Sequence, residues 1–475
     1  MVIKTKIIAT VGPASADRQV MGKLIENGVD VFRLNFSHGT FDDYARLLGE
    51  MNSARGSASR VTAVMGDLCG PKIRTGIIDS QYNMLVEGAE ISIVSGSAAG
   101  TAERFGTNYE FFVKDVEVGD RVLIDDGQIS LIAVSKTDDE VVCRVIVGGQ
   151  LNSCKGINLP DTKVSIPSIT PKDWKCVDWA IERRVDFLAL SFVRGADEVQ
   201  ELKDYITQKG SAIRVVSKIE TPQAVADLEA VVDASDAVLV ARGDLGVEMD
   251  LAEVPLIQKR ITRLCREKGK PVIVATQMLQ SMIDMPTATR AEVSDVANAI
   301  MDMTDAVMLS GETAVGKYPL EALRTINRVA RFTEAYLDGL NEPRPTIKTE
   351  SKDRLVAALA PSVAHIVDEI DAPVVAIWSQ SGTTAEFFSK ARIDAPIMAY
   401  SSDDKVCRQM CMQYGVMPQL EKPPVGLEEF AAVVDKNVVE QKLARPGDRI
   451  VLVTTRKPGS NEKANIIAVH TVQSN

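Results

Sequence analysis

Val238-Leu-Val-Ala-Arg-Gly-Asp-Leu-Gly-Val-Glu248 joins a short apolar run directly to a charged turn. The run Ala237–Ala241 is of the kind that is buried on both faces in a parallel sheet. It ends at Arg242-Gly243-Asp244, so a carboxylate follows the C-terminal end of a strand, where α/β folds place reacting groups. Gly243 lacks a Cβ, so the backbone there can approach a ligand closely. The alternative is a strand followed by an ordinary turn, and the rest of the chain must decide between the two.

Composition restricts the class of protein. The 475 residues are enough for about three domains. With 45% apolar and 25% charged residues, the chain has the balance of a globular protein, and its net charge of −11 argues against nucleic-acid binding. Seven cysteines without a Cys-x-x-Cys pattern and three widely separated histidines argue against a disulfide framework and a zinc site. Neither a membrane-span-length apolar run nor a secretory signal is present, so we expect a cytoplasmic protein that does not bind membranes.

Short apolar runs recur along the chain at the spacing of βα units. They cover residues 4–10, 29–35, 61–67, 187–191, 213–219, 237–241, 271–276 and 305–309. Eight βα units are the number in a closed (β/α)₈ barrel, whose reactive residues gather at the C-terminal ends of the strands. We therefore predict a (β/α)₈ TIM barrel formed by residues 1–70 and 161–340.

Two further domains are predicted from changes in pattern. Residues 71–160 contain short alternating strands separated by Gly or Asp turns, which indicates a small all-β domain inserted after the third barrel strand. The Pro-rich stretch Glu342-Pro343-Arg344-Pro345 indicates a linker after the barrel. Beyond it, helices such as Arg354–Ile370 alternate with strands, so residues 346–475 are predicted to form an α/β domain with an open sheet.

Polar residues cluster at the predicted strand ends. Arg33, Asn35 and Ser37 are two apart, so they share one face while the chain stays extended. The other strands deliver Asp67, Lys72, Arg74, Lys218, Glu220, Asp244, Thr276, Ser310 and Glu312. Two carboxylates, Glu220 and Asp244, beside a lysine and arginines predict a site for a hard divalent cation and an anionic substrate. Solvated ion pairs can also line a barrel mouth, but charge at six strand ends favours a functional site.

Gly311-Glu312-Thr313-Ala314-Val315-Gly316-Lys317-Tyr318 nearly fits the phosphate-binding P-loop pattern. However, Tyr318 stands where that pattern requires a Ser or Thr to ligate Mg²⁺, and Pro319 follows at once. We therefore interpret Gly311 as a point of close backbone passage at the barrel mouth.

Several motifs together resemble the pyruvate kinase family, in its order and spacing, from about residue 4 to the C-terminus. They are Arg33-Leu34-Asn35-Phe36-Ser37-His38-Gly39, Ser217-Lys218-Ile219-Glu220, Val240-Ala241-Arg242-Gly243-Asp244-Leu245-Gly246-Val247-Glu248, Ala275-Thr276-Gln277-Met278-Leu279 and Leu309-Ser310-Gly311-Glu312. The resemblance implies a barrel with a β lid, a C-terminal regulatory domain and a homotetramer. It also implies transfer of the phosphoryl group of phosphoenolpyruvate to ADP, the last step of glycolysis.

The resemblance implies roles for particular residues. Glu220 and Asp244 would hold Mg²⁺, and a second Mg²⁺ would arrive with ADP, with Mn²⁺ able to substitute. The implied substrate-binding residues are Arg33, Lys218, Gly243, Asp244 and Thr276, and the implied nucleotide-binding residues are Asn35, His38, Arg74 and Lys155. Arg33 and Lys218 would stabilise the transferring phosphoryl group. Thr276, Ser310 and a water chain are all candidates for protonating the enolate.

The sequence departs from many family members beside a monovalent-cation site. Those enzymes bind K⁺ with groups matching Asn35, Ser37 and Asp67, and they carry Thr and Glu where this chain has Leu68 and Lys72. The ammonium of Lys72 can supply the positive charge that K⁺ otherwise brings. The pairing resembles the bacterial, K⁺-independent branch, so we predict that K⁺ is not required. The alternative is a solvated lysine in the hinge to the lid.

Ser379-Gln380-Ser381-Gly382-Thr383-Thr384 resembles the loop by which many pyruvate kinases bind the phosphate of a sugar phosphate. A simple helix N-cap would explain one or two of its hydroxyls. The opposite loop, residues 456–463, departs from the family pattern. We expect allosteric activation by a phosphorylated metabolite, and fructose 1,6-bisphosphate, a sugar monophosphate and AMP are all open.

Two other functions are alternatives to phosphoryl transfer to ADP. One is a Mg²⁺-dependent barrel enzyme of the mutase or lyase type that handles phosphoenolpyruvate or oxaloacetate; the inserted β domain and Lys218 argue against it. The other is a catalytically inactive metabolite sensor, which the joint presence of the strand-end residues argues against. The roles of Cys69 and Cys154 stay open.

Overall fold

The structure is a computed structural model that describes residues 2–56, 58, 60–96, 99–340, 344, 353–460 and 462–474. Of the predicted linker, Glu342, Pro343 and Pro345 lie outside the described residues, as does Asn461 of the loop opposite the predicted effector site. In the described ranges, none of the helices has the length and apolar character needed to cross a bilayer.

The first part of the chain contributes three strands and two helices to a barrel. In order they are β1 (Lys6–Thr10), α1 (Arg18–Glu26), β2 (Val31–Asn35), α2 (Phe41–Gly56) and β3 (Ala63–Asp67). All residues of β1 and β3 are buried, because both faces of a barrel strand are covered. Asp17 caps α1 by accepting hydrogen bonds from the first-turn amides, and the chain leaves this helix at Gly28 with φ of 108°, a conformation suited to glycine.

The lid follows β3 as a separate β domain with its own apolar core. Its elements are β4 (Met84–Leu85), β5 (Glu90–Ser95), β6 (Arg104–Thr107), α3 (Phe112–Asp115), β7 (Arg121–Ile124), β8 (Ile129–Lys136), β9 (Glu140–Val147), β10 (Gly149–Gln150) and β11 (Ile157–Asn158). Six of these strands form a sheet in the order β11-β7-β8-β9-β5-β6, in which only the β5–β6 pair is parallel. The lid is therefore an independent unit that reaches the barrel through the segments before β4 and after β11.

The barrel resumes after the lid. Its remaining elements are α4 (Pro171–Glu182), β12 (Phe187–Leu190), α5 (Ala196–Gln208), β13 (Arg214–Ile219), α6 (Pro222–Ala226), α7 (Leu228–Ala234), β14 (Ala237–Ala241), α8 (Arg242–Glu248), α9 (Val254–Glu267), β15 (Val272–Ala275), a 3₁₀ helix (Gln280–Ile283), α10 (Arg290–Met301), β16 (Ala306–Leu309), α11 (Gly311–Ala314) and α12 (Pro319–Asp338). The strands close in the order β1-β16-β15-β14-β13-β12-β3-β2, all parallel, which confirms the predicted (β/α)₈ barrel. The numerical domain boundaries stay predictions.

The C-terminal domain is the predicted open α/β sheet. Its elements are α13 (Arg354–Ile370), β17 (Val375–Trp378), α14 (Thr383–Lys390), β18 (Ile397–Ser401), α15 (Asp404–Met410), β19 (Val416–Leu420), α16 (Leu427–Glu440), β20 (Arg449–Thr454) and β21 (Ile466–Thr471). The sheet order is β19-β18-β17-β20-β21, and only β21 is antiparallel to its neighbour. The sequence pattern missed β19 and β21, because both are edge strands whose residues are mostly not buried and so form no apolar run.

Buried ion pairs hold this domain against the barrel. Lys390 and Arg392, at the end of α14, both pair with Asp305, which precedes β16 and is fully buried. Arg408 of α15 pairs with Asp186, which precedes β12, at 2.7 Å. Both aspartates precede their strands, so the C-terminal domain packs at the end of the barrel opposite the C-terminal ends of its strands.

Candidate active site

A cavity of about 100 Å³ opens at the C-terminal ends of the barrel strands. Strand register accounts for the convergence, because Asn35 pairs with Asp67, Leu190 with Ser217 and Ala241 with Ala275 at the same end of the sheet. Eleven residues predicted from the sequence line this cavity: Arg33, Asn35, Ser37, Asp67, Leu68, Lys72, Lys218, Glu220, Asp244, Thr276 and Ser310. These predicted residues come from six of the eight βα units, and Ser191 and Phe192 of a seventh unit also line the cavity.

Lys218 lies at the centre of an ionic network in this cavity. Its Nζ is 2.8 Å from Glu220 Oε1 and 3.5 Å from Asp67 Oδ1, and it donates a hydrogen bond of 2.8 Å to Ser191 Oγ. Burial acts to lower the pKa of Lys218, but the carboxylates of Asp67 and Glu220 outweigh burial and raise that pKa. The side chain is therefore a fixed positive charge.

Arg33 is held on the other side of Asp67. Asp67 Oδ2 accepts a hydrogen bond of 2.6 Å from Arg33 Nε, and Thr10 Oγ1 accepts one of 3.0 Å from the same guanidinium. Burial acts to raise the pKa of Asp67, but Lys218 and Arg33 hold that pKa below its ordinary value. One ionised, buried aspartate thus positions two cations, since each of its oxygens faces one of them.

Glu220 and Asp244 bring two carboxylates to the same wall. Glu220 Oε2 accepts a hydrogen bond of 2.7 Å from the Phe192 amide, and Oε1 faces Lys218 Nζ at 2.8 Å. Burial raises the pKa of Glu220, opposed by Lys218. Mg²⁺ in proteins is commonly held by one or two carboxylates together with substrate oxygens and water. Two carboxylates that line one small cavity fit that ion.

The described residues contain no group of three or more His, Cys, Asp or Glu side chains that could hold a metal ion. A cation at Glu220 and Asp244 would therefore need oxygens from a bound ligand or from water. Such a donor set leaves coordination positions open for a substrate, as a catalytic metal site requires.

Thr276 adopts a strained backbone conformation beside the start of α8. Its φ is 67°, which for a β-branched residue costs about 1–3 kcal/mol. Thr276 Oγ1 donates to the Ala275 carbonyl at 2.6 Å and accepts from the Gly243 amide at 2.7 Å. Arg242 donates to the Thr276 carbonyl at 2.8 Å. These contacts join the ends of β14 and β15 and fix the Thr276 hydroxyl at the cavity wall.

The alternative of an ordinary turn after β14 is wrong, because α8 begins at Arg242 without an intervening loop. The Gly243 amide already donates to Thr276 Oγ1, so it is less free to bind a ligand than the sequence suggested. The other first-turn amides of α8 have no intrahelical acceptor.

Glu312 differs from the other strand-end carboxylates. It is buried, and its two oxygens accept hydrogen bonds from the amides of Leu279 (2.9 Å) and Ser310 (2.7 Å). Its role is therefore to hold two loops. A Cβ added at Gly311 would come within 2.7 Å of the Ile283 side chain, and one at Gly316 within 2.5 Å of a backbone oxygen. Both glycines of the near-P-loop pack against the protein and leave no phosphate cradle.

A second cavity of about 320 Å³ lies between the lid and the barrel. Its lining includes Lys72, Arg74 and Lys155, the last of which pairs with Asp125 at 2.9 Å. Asp244 and Lys72 line both this cavity and the smaller one. The two cavities therefore adjoin, with the predicted metal-binding carboxylate at their boundary.

One hydrogen bond links the lid to the barrel across this larger cavity. Asn158 Nδ2, in β11, donates to Glu248 Oε1, at the end of α8, at 2.6 Å. Burial raises the pKa of Glu248 to about 7, and the nearby charge of Asp244 adds to the effect. The position of the lid strand is thus tied to the helix that carries Asp244.

His38 and Gly243 line neither cavity, and His38 is exposed, so the structure separates His38 from the site, whereas Gly243 lies beside it in contact with Thr276. Sequence reasoning missed Thr10 and Ser191, which contact Arg33 and Lys218. Each is the last residue of a predicted apolar run. Their position at the end of an apolar run, the same as that of Thr276 and Ser310, is the signal that could have found them.

The predicted effector loop lies at the N-terminus of α14. Ser379 is buried, and its Oγ accepts a hydrogen bond of 3.2 Å from the Ala385 amide. Thr384 is also buried. Ser381 and Thr383 are more accessible, with their hydroxyl oxygens 3.2 Å apart. Two of the four hydroxyls are therefore in a position to contact a ligand, fewer than the sequence suggested.

Comparison with known proteins agrees with this architecture along the whole chain. Residues 2–323 match the sequence model of the pyruvate kinase barrel domain, and residues 357–470 match that of the pyruvate kinase alpha/beta domain. The chain is 39% identical over 472 residues to a pyruvate kinase of Mycobacterium tuberculosis, covering 99% of both. It is 40% identical over 473 residues to one from Geobacillus stearothermophilus, covering 99% of this chain and 80% of that protein.

A crystal structure of a pyruvate kinase from Cryptosporidium parvum has the same fold, with a TM-score of 0.89 and 32% identity over 99% of this chain and 96% of that one. Together, the fold, the converging strand ends and these matches show that the chain belongs to the pyruvate kinase family of phosphotransferases.

Proposed function

We propose that this enzyme transfers the phosphoryl group of phosphoenolpyruvate to ADP across the boundary between the two cavities. The observation that carries the proposal is the shared wall, since Asp244 and Lys72 line both cavities. A small site at the strand ends suits phosphoenolpyruvate, and the larger one under the lid suits a nucleotide. Two substrates bound on either side of Asp244 would have the transferring group between them.

Arg33 and Lys218 are proposed to act on the transferring phosphoryl group. Its transition state needs positioning and positive charge more than covalent assistance. Both cations are already oriented by Asp67, so little reorganisation is needed when charge develops on the phosphoryl oxygens. Ser191, which accepts a hydrogen bond from Lys218, limits the rotamers available to that side chain.

Glu220 and Asp244 are proposed to hold Mg²⁺, with a second Mg²⁺ arriving with ADP and Mn²⁺ able to substitute. When bound, the ion supplies positive charge at the phosphoryl and enolate oxygens. Replacing Glu220 with Gln should raise the Mg²⁺ concentration needed to protect the protein from thermal unfolding. An unchanged Mg²⁺ dependence of the unfolding midpoint would remove Glu220 from the metal site.

The proton for the enolate is proposed to come from Ser310 or from water beside it. Thr276 Oγ1 already donates its proton to the Ala275 carbonyl, so its hydroxyl is better placed to orient the substrate than to donate. Ser310 Oγ makes no hydrogen bond to other described residues, and it lines the small cavity. Ser310→Ala should therefore slow protonation of the enolate, measured as solvent deuterium incorporation into pyruvate, with phosphoryl transfer to ADP less affected.

On the nucleotide side, the lid is proposed to contribute charge and to exclude water. Arg74 lies in the segment that enters the lid and Lys155 lies in the lid just before β11, so a nucleotide bound to them would draw the lid towards Asp244. Closure of that kind favours transfer to ADP over transfer to water. Asn35, although predicted on the nucleotide side, lines the smaller cavity, and His38 lies outside both.

A coupled assay for ADP-dependent pyruvate formation in Mg²⁺ buffer tests this reaction. Pyruvate formed from phosphoenolpyruvate only when ADP is present supports phosphoryl transfer. Consumption of phosphoenolpyruvate or oxaloacetate without ADP would instead favour the mutase or lyase alternative. No turnover of either, with metabolite binding retained, would favour an inactive sensor.

We further propose that the reaction does not require K⁺. Lys72 lines both cavities and makes no side-chain ion pair with the described residues. Asp67, a predicted K⁺ ligand, is already occupied by Arg33 and Lys218, and Leu68 is buried and offers no side-chain oxygen. A unit interaction at ~4 Å is worth about 4 kcal/mol at an effective dielectric near 20, so an ammonium here strongly disfavours a second monovalent cation.

The test uses buffer free of Na⁺ and K⁺, with tetramethylammonium as the inert cation. The wild type should reach its full rate without K⁺, and Lys72→Glu should be slow until K⁺ is added. Activation of the wild type by K⁺ of about tenfold or more would reject the proposal and leave Lys72 as a hinge residue.

A phosphorylated metabolite is proposed to activate the enzyme through Ser381, Gly382 and Thr383 at the start of α14. The left-handed conformation of Gly382, with φ of 83°, turns the loop so that both accessible hydroxyls stand at the helix N-terminus. Calorimetry with fructose 1,6-bisphosphate, glucose 6-phosphate and AMP would identify the ligand. No heat and no activation from any of them would refute the site.

We also propose a homotetramer and a cytoplasmic location, which the family relationship supports. Sedimentation equilibrium of the full chain would measure the oligomeric state directly. A monomer or dimer at micromolar concentration would contradict the homotetramer. Recovery of the protein with membranes after cell fractionation would contradict the cytoplasmic location.

A further inference from the structure

A third cavity, of about 520 Å³, lies at the opposite end of the barrel from the active site, against the C-terminal domain. Arg55 reaches it from the last turn of α2, and Arg183 and Arg184 from the segment between α4 and β12. Arg408 reaches it from α15 of the C-terminal domain. None of the residues given a role in phosphoryl transfer lines this cavity.

The carboxylates that line the described part of this cavity already have partners. Asp186 Oδ1 accepts a hydrogen bond of 2.7 Å from Arg408 Nε, and its Oδ2 accepts one of 2.9 Å from the Val64 amide. Asp404 also pairs with Arg408, within α15. Both aspartates pair with Arg408, and the charge of Asp186 also acts on Arg55. Two carboxylates therefore face five arginines in the lining of this cavity.

Arg55, Arg183 and Arg184 form no ion pair with any carboxylate in the described residues. The side-chain hydrogen bond of Arg55 goes to the neutral Asn52 Oδ1, at 3.2 Å. Arg60, which also lines the cavity, pairs with Asp30 outside it. Uncompensated cations therefore gather in one place, although the chain as a whole carries a net charge of −11.

Burial is the main cause that lowers the pKa of two cations near the cavity. It lowers the pKa of Arg55, opposed by the charge of Asp186, and the charge of Arg408 adds to the lowering. It also lowers the pKa of Lys405, opposed by Asp186 and Asp403, with a further contribution from Arg184. Holding a cation in a partly buried position without a counterion is unfavourable, and an anionic ligand would relieve that cost.

We propose that this cavity binds a small phosphorylated metabolite through Arg55, Arg183 and Arg184. The planar guanidinium group matches phosphate oxygens with paired hydrogen bonds, and a cavity of this size is in the range that accepts small ligands. Because Arg408 carries the fourth guanidinium from α15, a bound phosphate joins the barrel to the C-terminal domain. The site is separate from the Ser381–Thr383 loop at the start of α14.

A purely structural role would give these arginines a different behaviour. Arg55 lies in the last turn of α2 and Arg183 caps the end of α4, where a cation stabilises the helix by interacting with its free carbonyls. If the arginines only stabilise helix ends, Arg55→Gln lowers the unfolding midpoint. If they form a phosphate site, Arg55→Gln removes an excess positive charge. The unfolding midpoint of the ligand-free protein then rises or stays unchanged, while the affinity for phosphate falls.

The experiment is calorimetric titration of inorganic pyrophosphate and inorganic phosphate into the full chain without divalent cations. The Arg183→Gln/Arg184→Gln double variant should bind pyrophosphate about tenfold or more weakly, because it loses two charge-assisted contacts. Lys209→Gln/Lys268→Gln is the matched control, since these lysines also cap barrel helices but pair with carboxylates. Its affinity should equal that of the wild type.

Ser381→Ala/Thr383→Ala and Lys218→Met separate this site from the effector loop and the active site. Each should keep the pyrophosphate binding that the arginine variant loses. The proposal is overturned if the wild type gives no binding heat, if the arginine variant binds as tightly as the wild type, or if the lysine control loses affinity equally. A fall in the unfolding midpoint of Arg55→Gln would likewise favour the structural role.

Discussion

Lys218 is a buried cation whose neighbours are two carboxylates and a hydroxyl. Asp67 also binds Arg33, so its charge is compensated if Lys218 is removed, whereas Glu220 has no other cation within 4 Å among the described residues. Lys218 thus combines a structural role towards Glu220 with a proposed catalytic role towards the phosphoryl group. Kinetics and stability must be measured on the same variant to separate these roles.

Replacing Lys218 with Met is expected to lower kcat by about 10²–10³ or more, because a preorganised charge is removed from the transferring group. The Mg²⁺ affinity should change much less, since Glu220 and Asp244 remain. Lys209→Met, an exposed lysine paired with Asp178, is the matched control and should keep full activity. Retention of more than about a tenth of the wild-type turnover by the Lys218 variant would contradict the assignment.

Glu248 is expected to make stability depend on pH when no divalent cation is present. The folded protein holds the proton of Glu248 up to a pKa of about 7, whereas the unfolded chain releases it near the ordinary value of 4.5. Between these pH values the unfolded state gains more from ionisation, so stability falls as pH rises from about 4.5 to about 7. Glu248→Gln cannot ionise in either state, so its stability should lack this decline.

At pH 8 the Glu248→Gln variant is therefore expected to be more stable than the wild type, by about 1–3 kcal/mol. At pH 4 the two should be nearly equal. Thermal unfolding at pH 4 and at pH 8 measures the difference in stability between the two proteins. Glu87 is exposed, so Glu87→Gln is the control whose stability should follow that of the wild type. A wild type and Glu248 variant with parallel pH profiles would show that burial does not hold this proton.

At the scale of elements, β11 and α8 couple the lid to the barrel. Helix α8 begins directly at the end of β14, so Asp244 and Glu248 lie one turn apart on the same rigid element. The Asn158–Glu248 hydrogen bond then ties the lid strand to that helix. This contact therefore helps to set the position of the lid relative to Asp244, together with the two segments that connect the domains.

Asn158→Ala is expected to raise KM for ADP by up to about tenfold, because a typical intramolecular hydrogen bond contributes about 0.5–1.5 kcal/mol. KM for phosphoenolpyruvate should change less, since the small cavity does not include Asn158. Amide hydrogen exchange in β11 should become faster. Asn152→Ala is the control, because its side chain makes only a 3.4 Å contact with the Gln150 carbonyl. Unchanged KM and exchange in the Asn158 variant would show that this contact does not position the lid.

At the scale of the whole molecule, the C-terminal domain is attached through Asp305. This aspartate is fully buried, pairs with Lys390 and Arg392, and accepts a hydrogen bond of 2.8 Å from the Val272 amide. Burial lowers the pKa of Lys390, opposed by the charge of Asp305. Removing the aspartate leaves two buried cations without a counterion.

Asp305→Ala is expected to reduce the free energy of unfolding by about 3–5 kcal/mol, as when one partner of a buried ion pair is removed. Asp178→Ala breaks a half-exposed pair with Lys209 and should cost only about 0–1 kcal/mol. Chemical denaturation of both variants, followed by tryptophan fluorescence, makes the comparison. Equal destabilisation of the two would mean that the Asp305 cluster does not hold the domains together.

Much of the fold could be predicted from local pattern. The two ends of each barrel strand agree within two residues with the ends of a predicted apolar run. This agreement arises because strands buried on both faces contain few polar residues. The edge strands β19 and β21 could not be found in this way, since their partly exposed residues carry no such run. Thr10 and Ser191 do end predicted apolar runs, but their importance comes from the charged side chains that they contact in the folded barrel.

The residue types and their order along the chain are therefore enough to predict the barrel, the inserted lid and a site of two carboxylates and two cations at the strand ends. These features depend on periodicity and on neighbours close in sequence, which local patterns describe. Contacts between distant residues depend on how the elements pack. The shared position of Asp244 between two cavities, the Asn158–Glu248 contact and the uncompensated arginines near α15 arise only when the lid, barrel and C-terminal domain are brought together.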